Sequence, residues 1–236
     1  MWKRELENYK CDHGDVMTEE LDLDSLPEDI QDLVLSGDMT EKEVLDWLKV
    51  EASVESCLRC DLGHLCLHKV FGEGSPKAPF FFVGEAPGEK EDVTGKPFIG
   101  KSGILLRKSM YEAGFRKGDV FLSNVLKCRP PKQRQPTQKE VGECFMHLWY
   151  QLETIKPKVI VGVGSVALNA FITKPKRAIG SCRGDFLSAY GYKFMAVWHP
   201  SYVLRSYQKL RRIELAKDLK KAFALVYPDG RPETND

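Results

Sequence analysis

The chain has 236 residues, enough for one compact domain of roughly 180 residues plus an appendage. Its 42% apolar content supports a hydrophobic core, and no apolar run approaches the ~18 residues of a membrane span. Its net charge of +1 is unevenly distributed, because residues 1–56 hold 17 acidic against 5 basic side chains and the remainder holds 30 basic against 17 acidic. The basic body favours nucleic acid as a partner, and the polar, acidic N-terminus without a secretory signal predicts an intracellular protein, cytoplasmic or nucleoid-associated and not secreted.

The acidic N-terminal segment predicts two short amphipathic helices. The first is expected to end before Gly37, and the second begins at Thr40, where Glu43 completes a capping box. The simplest interpretation is a solvated helical pair. Docking of a protein partner, mimicry of DNA and autoinhibition are the alternatives for such a segment.

Seven cysteines in an intracellular chain predict metal ligation rather than disulfide bonds. Cys57 and Cys60 form a CxxC motif, Cys128 lies within KCRPP, and Cys144 follows after fifteen intervening residues. Four thiolates suit either a [4Fe–4S] cluster or tetrahedral zinc, and the spacing does not decide between them. The other three cysteines fit no ligand pattern: Cys11, Cys66 and Cys182.

The next informative stretch is FFFVGEAPGEKEDVTGKPFIG, residues 80–100. Four large apolar residues at its start predict a buried strand. The strand breaks into GEAPG, residues 84–88, whose glycines and proline impose a tight turn that exposes backbone groups. In an open α/β sheet, ligands bind on loops that leave the carboxyl ends of strands, so this turn is a candidate site.

Residues 95–102 also match the Walker A pattern GxxxxGKS. That motif needs a strand running directly into its first glycine, whereas Gly95 follows a charged loop. Pro97 and Phe98 would remove or crowd the amides that bind phosphate. The match is interpreted as accidental, and a P-loop NTPase is kept only as a rival class.

Three further strands are predicted at residues 119–125, 158–163 and 193–198, and helices alternate with them. A Pro-, Lys- and Arg-rich loop at residues 129–138 suits a phosphate backbone. Four alternating strands favour a parallel α/β/α sandwich, in which the polar residues after the strands share one edge. Those residues are Glu85, Asn124, Ser165 and His199.

The motifs GEAPGEKEDVTGKPFIG, SNVLKCRPP and HPSYVLR, with the four spaced cysteines, closely resemble family 4 uracil-DNA glycosylases over roughly Ser56 to Phe223. The resemblance does not cover the short, partly helical acidic extension, and it implies a three-layer α/β/α sandwich with a central four-stranded, mainly parallel sheet. It places a glycosylase domain at residues 56–226, after an extension of residues 1–55 and before a tail of residues 227–236. It also implies a structural [4Fe–4S] cluster with four thiolate ligands: Cys57, Cys60, Cys128 and Cys144.

The same resemblance implies roles in base recognition and catalysis. Phe98 would stack on the flipped uracil, Asn124 would read its edge, and His199 would donate a hydrogen bond to uracil O2. Glu85 would help to position the attacking water, with Glu91 as a weaker candidate for that role.

Further implied contacts surround these residues. The backbone at Ala86 and Pro87 would line the pocket, and family 1 relatives carry an aspartate where this chain has Ala86, which leaves the general base open. The implied DNA contacts are Ser165 and Ser201 at phosphates and Leu204 as a wedge that fills the gap left by the base.

The predicted activity is therefore hydrolysis of the N-glycosidic bond of uracil in single- or double-stranded DNA, which starts base-excision repair. The alternative is a non-catalytic DNA-binding or replication-associated module on the same fold, with residues 1–55 contacting a protein partner. Turnover on a uracil-containing oligonucleotide separates the two interpretations.

Overall fold

The computed structural model describes residues 22–206 and 209–231, so Cys11 and the end of the predicted tail lie outside the described residues. The chain divides into two compact units, residues 1–49 and residues 50–236. Within the described ranges, no helix is long and apolar enough to cross a membrane.

Both predicted N-terminal helices are present. A short 3₁₀ turn at Leu23–Ser25 precedes α1 (Glu28–Leu35), and α2 (Glu41–Glu55) follows and extends into the second unit. The capping box forms as predicted, since Glu43 N donates to Thr40 Oγ1 at 3.3 Å and Thr40 N donates to Glu43 Oε2 at 2.9 Å.

The second unit is built on a six-stranded sheet in the order β1-β3-β2-β4-β6-β5. Its strands are β1 (Glu73–Gly74), β2 (Phe80–Gly84), β3 (Val120–Asn124), β4 (Val159–Val163), β5 (Phe186–Ala189) and β6 (Tyr192–Val197). The central four, β3, β2, β4 and β6, are parallel and confirm the predicted strands. The two short edge strands pair antiparallel and were not predicted.

Eight helices are described in this unit after α2: α3 (Leu62–Leu65), α4 (Glu89–Thr94), α5 (Lys101–Ala113), α6 (Gln138–Ile155), α7 (Ser165–Phe171), α8 (Ile179–Cys182), α9 (Pro200–Arg205) and α10 (Lys209–Val226). Side chains alternate along β2, so Phe80 and Phe82 join the core formed with α5 and α10. On the opposite face, Phe171 of α7 stacks on Phe194 of β6. Helices therefore cover both faces, which confirms the α/β/α sandwich.

Two short helices replace predicted loops. The acidic run after GEAPG forms α4, and the stretch after His199 forms α9. Pro200 occupies the first helical position of α9, where its fixed φ favours a helix start and its missing N–H costs nothing. His199 caps this helix, so its ring is held at the end of β6 by local structure.

Candidate active site and cysteine cavity

The carboxyl ends of the parallel strands border a cleft of about 830 Å³. Gly84 pairs with Asn124 across β2 and β3, so the loop after β2 and the Asn124 side chain emerge side by side. Two predicted DNA contacts are not among the described residues that line the cleft: Ser165 is exposed at the start of α7, and Leu204 is 43% exposed on α9. The predicted site residues that do line it are Glu85, Ala86, Pro87, Phe98, Asn124, His199 and Ser201.

Gly84 allows Asn124 and Phe98 to approach each other. A Cβ at Gly84 would lie 2.6 Å from Phe98 Cζ and closer still to Asn124 Oδ1. Asn124 and Phe98 are only 3% and 7% exposed. An aromatic ring and an amide thus meet at one buried point, which combines a stacking surface with hydrogen-bonding groups for the edge of a planar ligand.

The backbone of Phe98 adopts a left-handed conformation, with φ of 54°. For a residue other than glycine this conformation costs about 1–2 kcal/mol, so surrounding contacts must hold it. Gly103 of α5 provides one of them, because a Cβ there would overlap the backbone of Phe98. The Phe98 loop therefore packs directly against the backbone of α5.

Glu91 holds the other side of this loop. Its carboxylate is buried between Gly88 and Gly100, and Oε1 accepts hydrogen bonds from Ile99 N at 3.0 Å and Gly100 N at 2.8 Å. Those amides lie inside the Walker A match and are already occupied by a carboxylate. Gly95 ends α4 instead of following a strand, so residues 95–102 do not form a phosphate-binding loop.

The hydrogen bonds of His199 determine which ring nitrogen carries its proton. Ser201 N lies 3.1 Å from His199 Nδ1, and a backbone amide can only donate. Nδ1 is therefore the acceptor, and the neutral ring carries its hydrogen on Nε2. Burial lowers the pKa of His199 to about 4, with a further contribution from Arg205, so the ring is neutral at pH 7.

Glu85 lines the cleft, and its backbone is bonded to Leu126, a residue that lines the cysteine cavity. Burial raises the pKa of its carboxyl above the ordinary value, and the positive charge of Arg205 opposes that shift. Leu126 N donates to Glu85 O at 3.1 Å and Val125 N donates to Gly84 O at 3.0 Å, which extends the β2–β3 pairing beyond the strand ends. These bonds fix the backbone from which the Glu85 side chain projects.

The four predicted ligand cysteines line one small cavity of about 20 Å³: Cys57, Cys60, Cys128 and Cys144. Lys127 N donates to Cys144 Sγ at 3.3 Å. Burial raises the pKa of the Cys128 thiol, and it raises that of Cys144 to about 11. Cys66 is not among the lining residues but packs beside Cys128. Across the described ranges, no three His, Cys, Asp or Glu side chains are grouped to hold a single metal ion.

His147 lines the same cavity and was missed by the sequence reasoning. Its Nε2 is buried without a hydrogen-bond partner, and burial lowers the pKa of the ring to about 4. Buried polar atoms in folded proteins nearly always have a partner, so this atom and the four thiols fit a polar, thiolate-bound group in the cavity. Its signal in the sequence was helical spacing, because His147 lies three residues after Cys144 on α6.

Lys127 connects the cavity to the cleft and was also not predicted. Its buried ammonium donates to Ser123 Oγ at 2.5 Å, Gln151 Oε1 at 2.6 Å and the backbone oxygen of Asn124 at 3.1 Å. Burial lowers the pKa of Lys127 to about 7, and the proximity of Cys144 opposes that shift. One side chain thus ties the end of β3 to α6, next to the cysteines.

Basic side chains border the cleft. Arg134 belongs to the loop predicted to follow a phosphate backbone, and it pairs with Glu140 of α6. Lys90 had no predicted role, and Lys101 belongs to the Walker A match. The basic residues that line the cleft are Lys90, Lys101, Arg134 and Arg205. Three acidic residues line the same cleft, namely Glu85, Glu89 and Glu91, so its border carries both charges.

Comparison with known proteins gives a consistent result. The family model of the uracil-DNA glycosylase superfamily matches residues 71–224. The chain is 42% identical over 185 residues to the Type-4 uracil-DNA glycosylase of Thermotoga maritima, covering 77% of this chain and 95% of that protein. The chain is 41% identical to the protein of the same name from Archaeoglobus fulgidus, and the match covers 71% of this chain and 87% of that protein. It is 38% identical to the one from Saccharolobus solfataricus, and that match covers 71% of this chain and 81% of the relative. These matches confirm the resemblance that the motifs predicted.

Proposed function

Because the chain belongs to the uracil-DNA glycosylase superfamily, we propose that it hydrolyses the N-glycosidic bond of uracil in DNA and leaves an abasic site. The observation that carries this proposal is the meeting of Asn124, Phe98 and His199 in one cleft at the carboxyl edge of the sheet. A glycosylase must take its target nucleotide out of the base stack, and this cleft offers a stacking ring and polar groups to receive it.

Recognition of uracil is proposed to depend on Phe98 and Asn124. The Phe98 ring stacks on the flipped base, and the Asn124 amide pairs with the uracil N3–H and an adjacent carbonyl. Cytosine presents the opposite donor and acceptor pattern on that edge, so the amide would leave unsatisfied groups against it. Their close approach across Gly84 supports this pair, because a ring and an amide so near to each other can contact the same base.

Bond cleavage is proposed to depend on His199. As the C1′–N1 bond breaks, its electrons move onto uracil, and negative charge develops at O2. The Nε2–H group of a neutral His199 donates to that oxygen in an oxyanion-hole arrangement. The acceptor role of Nδ1 and the pKa of about 4 both support a neutral donor. The Ser201 hydroxyl lies 2.8 Å from Nδ1 and helps to fix the orientation of this ring. The contact of Ser201 with a DNA phosphate stays a prediction.

The attacking water is proposed to be oriented by Glu85. The oxygen of this water bonds to C1′ of the oxocarbenium-like sugar, and one proton is released. Glu85 faces the cleft from the loop after β2. Glu91 is less suited to this role, since its Oε1 already accepts two backbone hydrogen bonds.

DNA outside the base pocket is proposed to follow the basic border of the cleft. Leu204 is an exposed apolar side chain on α9, which suits a wedge into the stack. Ser165, exposed at the start of α7, stays the predicted phosphate contact on that side. We also propose residues 1–55 as the contact for a protein partner, on the basis of their acidic composition.

A [4Fe–4S] cluster is proposed to be held by Cys57, Cys60, Cys128 and Cys144. When bound, the cluster would join the segment between α2 and α3, which carries Cys57 and Cys60, to the loop after β3 and to α6. The shared cavity and the Lys127 N–H donated to Cys144 support this ligand set, because each iron of such a cluster takes one thiolate.

The cluster proposal is tested by the visible absorbance and iron content of anaerobically purified Cys128→Ser. Both are expected to fall together with soluble yield. Cys182→Ser is the matched control, since Cys182 is also buried but lies outside the cavity. An unchanged spectrum in Cys128→Ser would refute its ligand role.

The activity is tested by incubating the protein with an end-labelled oligonucleotide containing one uracil, followed by alkali and a denaturing gel. Cleavage is expected at uracil and not at thymine in a matched strand. His199→Ala should lower the rate by about 10² or more, as removal of an oxyanion-type donor does, whereas His64→Ala, at an exposed position outside the cleft, should not. Binding without cleavage by protein with full cluster absorbance would instead favour the non-catalytic module.

A further inference from the structure

The guanidinium of Arg107 joins two separate parts of the fold. Arg107 lies on α5, where its Nε donates to Phe98 O at 3.1 Å and its Nη2 donates to Pro97 O at 2.9 Å. The same Nη2 forms an ion pair with Glu73 Oε2 of the edge strand β1 at 2.7 Å. One side chain therefore binds two consecutive carbonyls of the Phe98 loop, and its own position is fixed by the ion pair with Glu73 at the edge of the sheet.

These carbonyls belong to the segment with the unfavourable left-handed backbone. Gly103 supports Phe98 by close packing, and Glu91 binds the two amides that follow it. Arg107 supplies the corresponding contacts on the carbonyl side, so two carbonyls and two amides at consecutive positions around Phe98 have partners. A planar guanidinium suits this task, because it presents several N–H groups in a fixed geometry.

We propose that Arg107 is a positioning residue for base recognition, which holds the Phe98 backbone so that the ring stays beside Asn124. Arg107 is not among the described residues that line the cleft, so it acts through Phe98 and not on the base. The inference rests on the proposed function, since it assigns to Phe98 the stacking role given above.

The informative variants separate hydrogen bonding from charge. Arg107→Met keeps an apolar stem of similar length but removes every donor, and Arg107→Lys keeps the charge with a single donor group. Lys108→Met is the matched control, because Lys108 is the next residue of α5, is 71% exposed and pairs only weakly with Glu112 at 3.8 Å. Glu73→Gln tests the support from β1.

The measurements are the single-turnover excision rate at saturating enzyme, inhibition by free uracil, affinity for abasic-site DNA, and melting temperature. Arg107→Met is expected to slow excision and weaken uracil inhibition by about tenfold, the scale of a lost charge-assisted hydrogen bond. Affinity for abasic DNA should match that of Lys108→Met. Arg107→Lys should recover part of the loss, and Glu73→Gln should give a smaller one.

A double-mutant cycle with Phe98→Ala tests whether Arg107 acts through that ring. In the Phe98→Ala background, Arg107→Met is expected to cause no further loss. Additive losses would show that Arg107 acts independently of the Phe98 ring. An equal loss in Lys108→Met would show that the loss comes from the removed charge. Either result would overturn the positioning role. A wild-type rate in Phe98→Ala would overturn both the stacking role and this inference, whereas the glycosylase activity itself is judged by cleavage of the uracil strand.

Discussion

Gly84 sets the distance between the two side chains proposed to recognise uracil. In Gly84→Ala, the new Cβ would contact Phe98 Cζ and Asn124 Oδ1, so at least one of these side chains must move. We expect the excision rate to fall by about 10² or more, because displacements near 1 Å at a positioned group cost that much. Single-turnover kinetics on the uracil oligonucleotide measure the loss.

Gly118→Ala is the control for this substitution. A Cβ at Gly118 would meet no atom within 4 Å, so the same chemical change is made without a clash. Both variants should remain folded and should show the same absorbance from the proposed cluster. Equal excision rates in the two alanine variants would show that the approach across Gly84 does not matter for recognition.

His199 gives a prediction about pH. In the folded protein its pKa is about 4, whereas an unfolded histidine titrates near pH 6.5. Between these values the unfolded chain binds more protons, so the His199 contribution should lower stability as the pH falls from about 6.5 to about 4 and should be constant above 6.5. Excision should show no loss centred near pH 6.5.

The pH prediction is checked by comparing wild type with His199→Gln. Glutamine keeps an N–H donor but does not titrate, so it should be more active than His199→Ala and should lose less stability on acidification than wild type. Denaturant unfolding between pH 4 and 7 measures the second difference. Identical pH dependence of stability in wild type and His199→Gln would contradict the low pKa.

At the scale of secondary-structure elements, Lys127 links β3 to α6. Replacing it by methionine would leave the Asn124 carbonyl and the Gln151 side-chain oxygen buried without this donor. Each such loss costs about 1–3 kcal/mol, and relief from burying an ammonium group offsets part of it. We expect a lower melting temperature and slower excision.

Lys158→Met is the control, because Lys158 is an exposed lysine before β4, and this variant should be near wild type. Equal melting temperatures in Lys127→Met and Lys158→Met would contradict the role of Lys127.

The sequence predicted the elements whose signals are local. Buried strands of four or more apolar residues were recognisable, and so was the Thr40 capping box. The edge strands escaped prediction because β1 has only two residues and β5 is half exposed. Their pairing depends on neighbours distant in the sequence.

The same limit applied to the site. Asn124 and His199 come at the ends of predicted strands, so their position at one sheet edge followed from strand order, whereas Phe98 was identified only through the family resemblance. Arg107 and Lys127 contact residues from several elements, and nothing in the local sequence distinguishes them from solvated basic residues. Only the folded arrangement identifies such supporting side chains.

At the scale of the whole molecule, the predicted domain boundary at residues 55/56 differs from the boundary between the two compact units at residues 49/50. α2 runs across the boundary at residues 49/50 and ends at the one at residues 55/56. Within the second unit, Val54 lines the cysteine cavity, and Ser53 Oγ lies 3.4 Å from His147 Nδ1. Residues 50–55 thus contribute to the unit that carries the cleft, although their acidic neighbours in the sequence suggested an appendage.

Two truncations test where the functional domain begins. Removing residues 1–40 leaves α2 complete and should preserve cluster absorbance and excision, whereas removing residues 1–55 deletes part of the cavity wall and should lower iron content and soluble yield. Removal of residues 1–40 also takes away 12 acidic against 3 basic residues. DNA affinity should therefore rise at low salt, and the gain should shrink as salt screens the charges. Full iron content and activity after removal of residues 1–55 would instead place the boundary after α2. Unchanged DNA affinity after removal of residues 1–40 would show that the acidic segment does not oppose DNA binding.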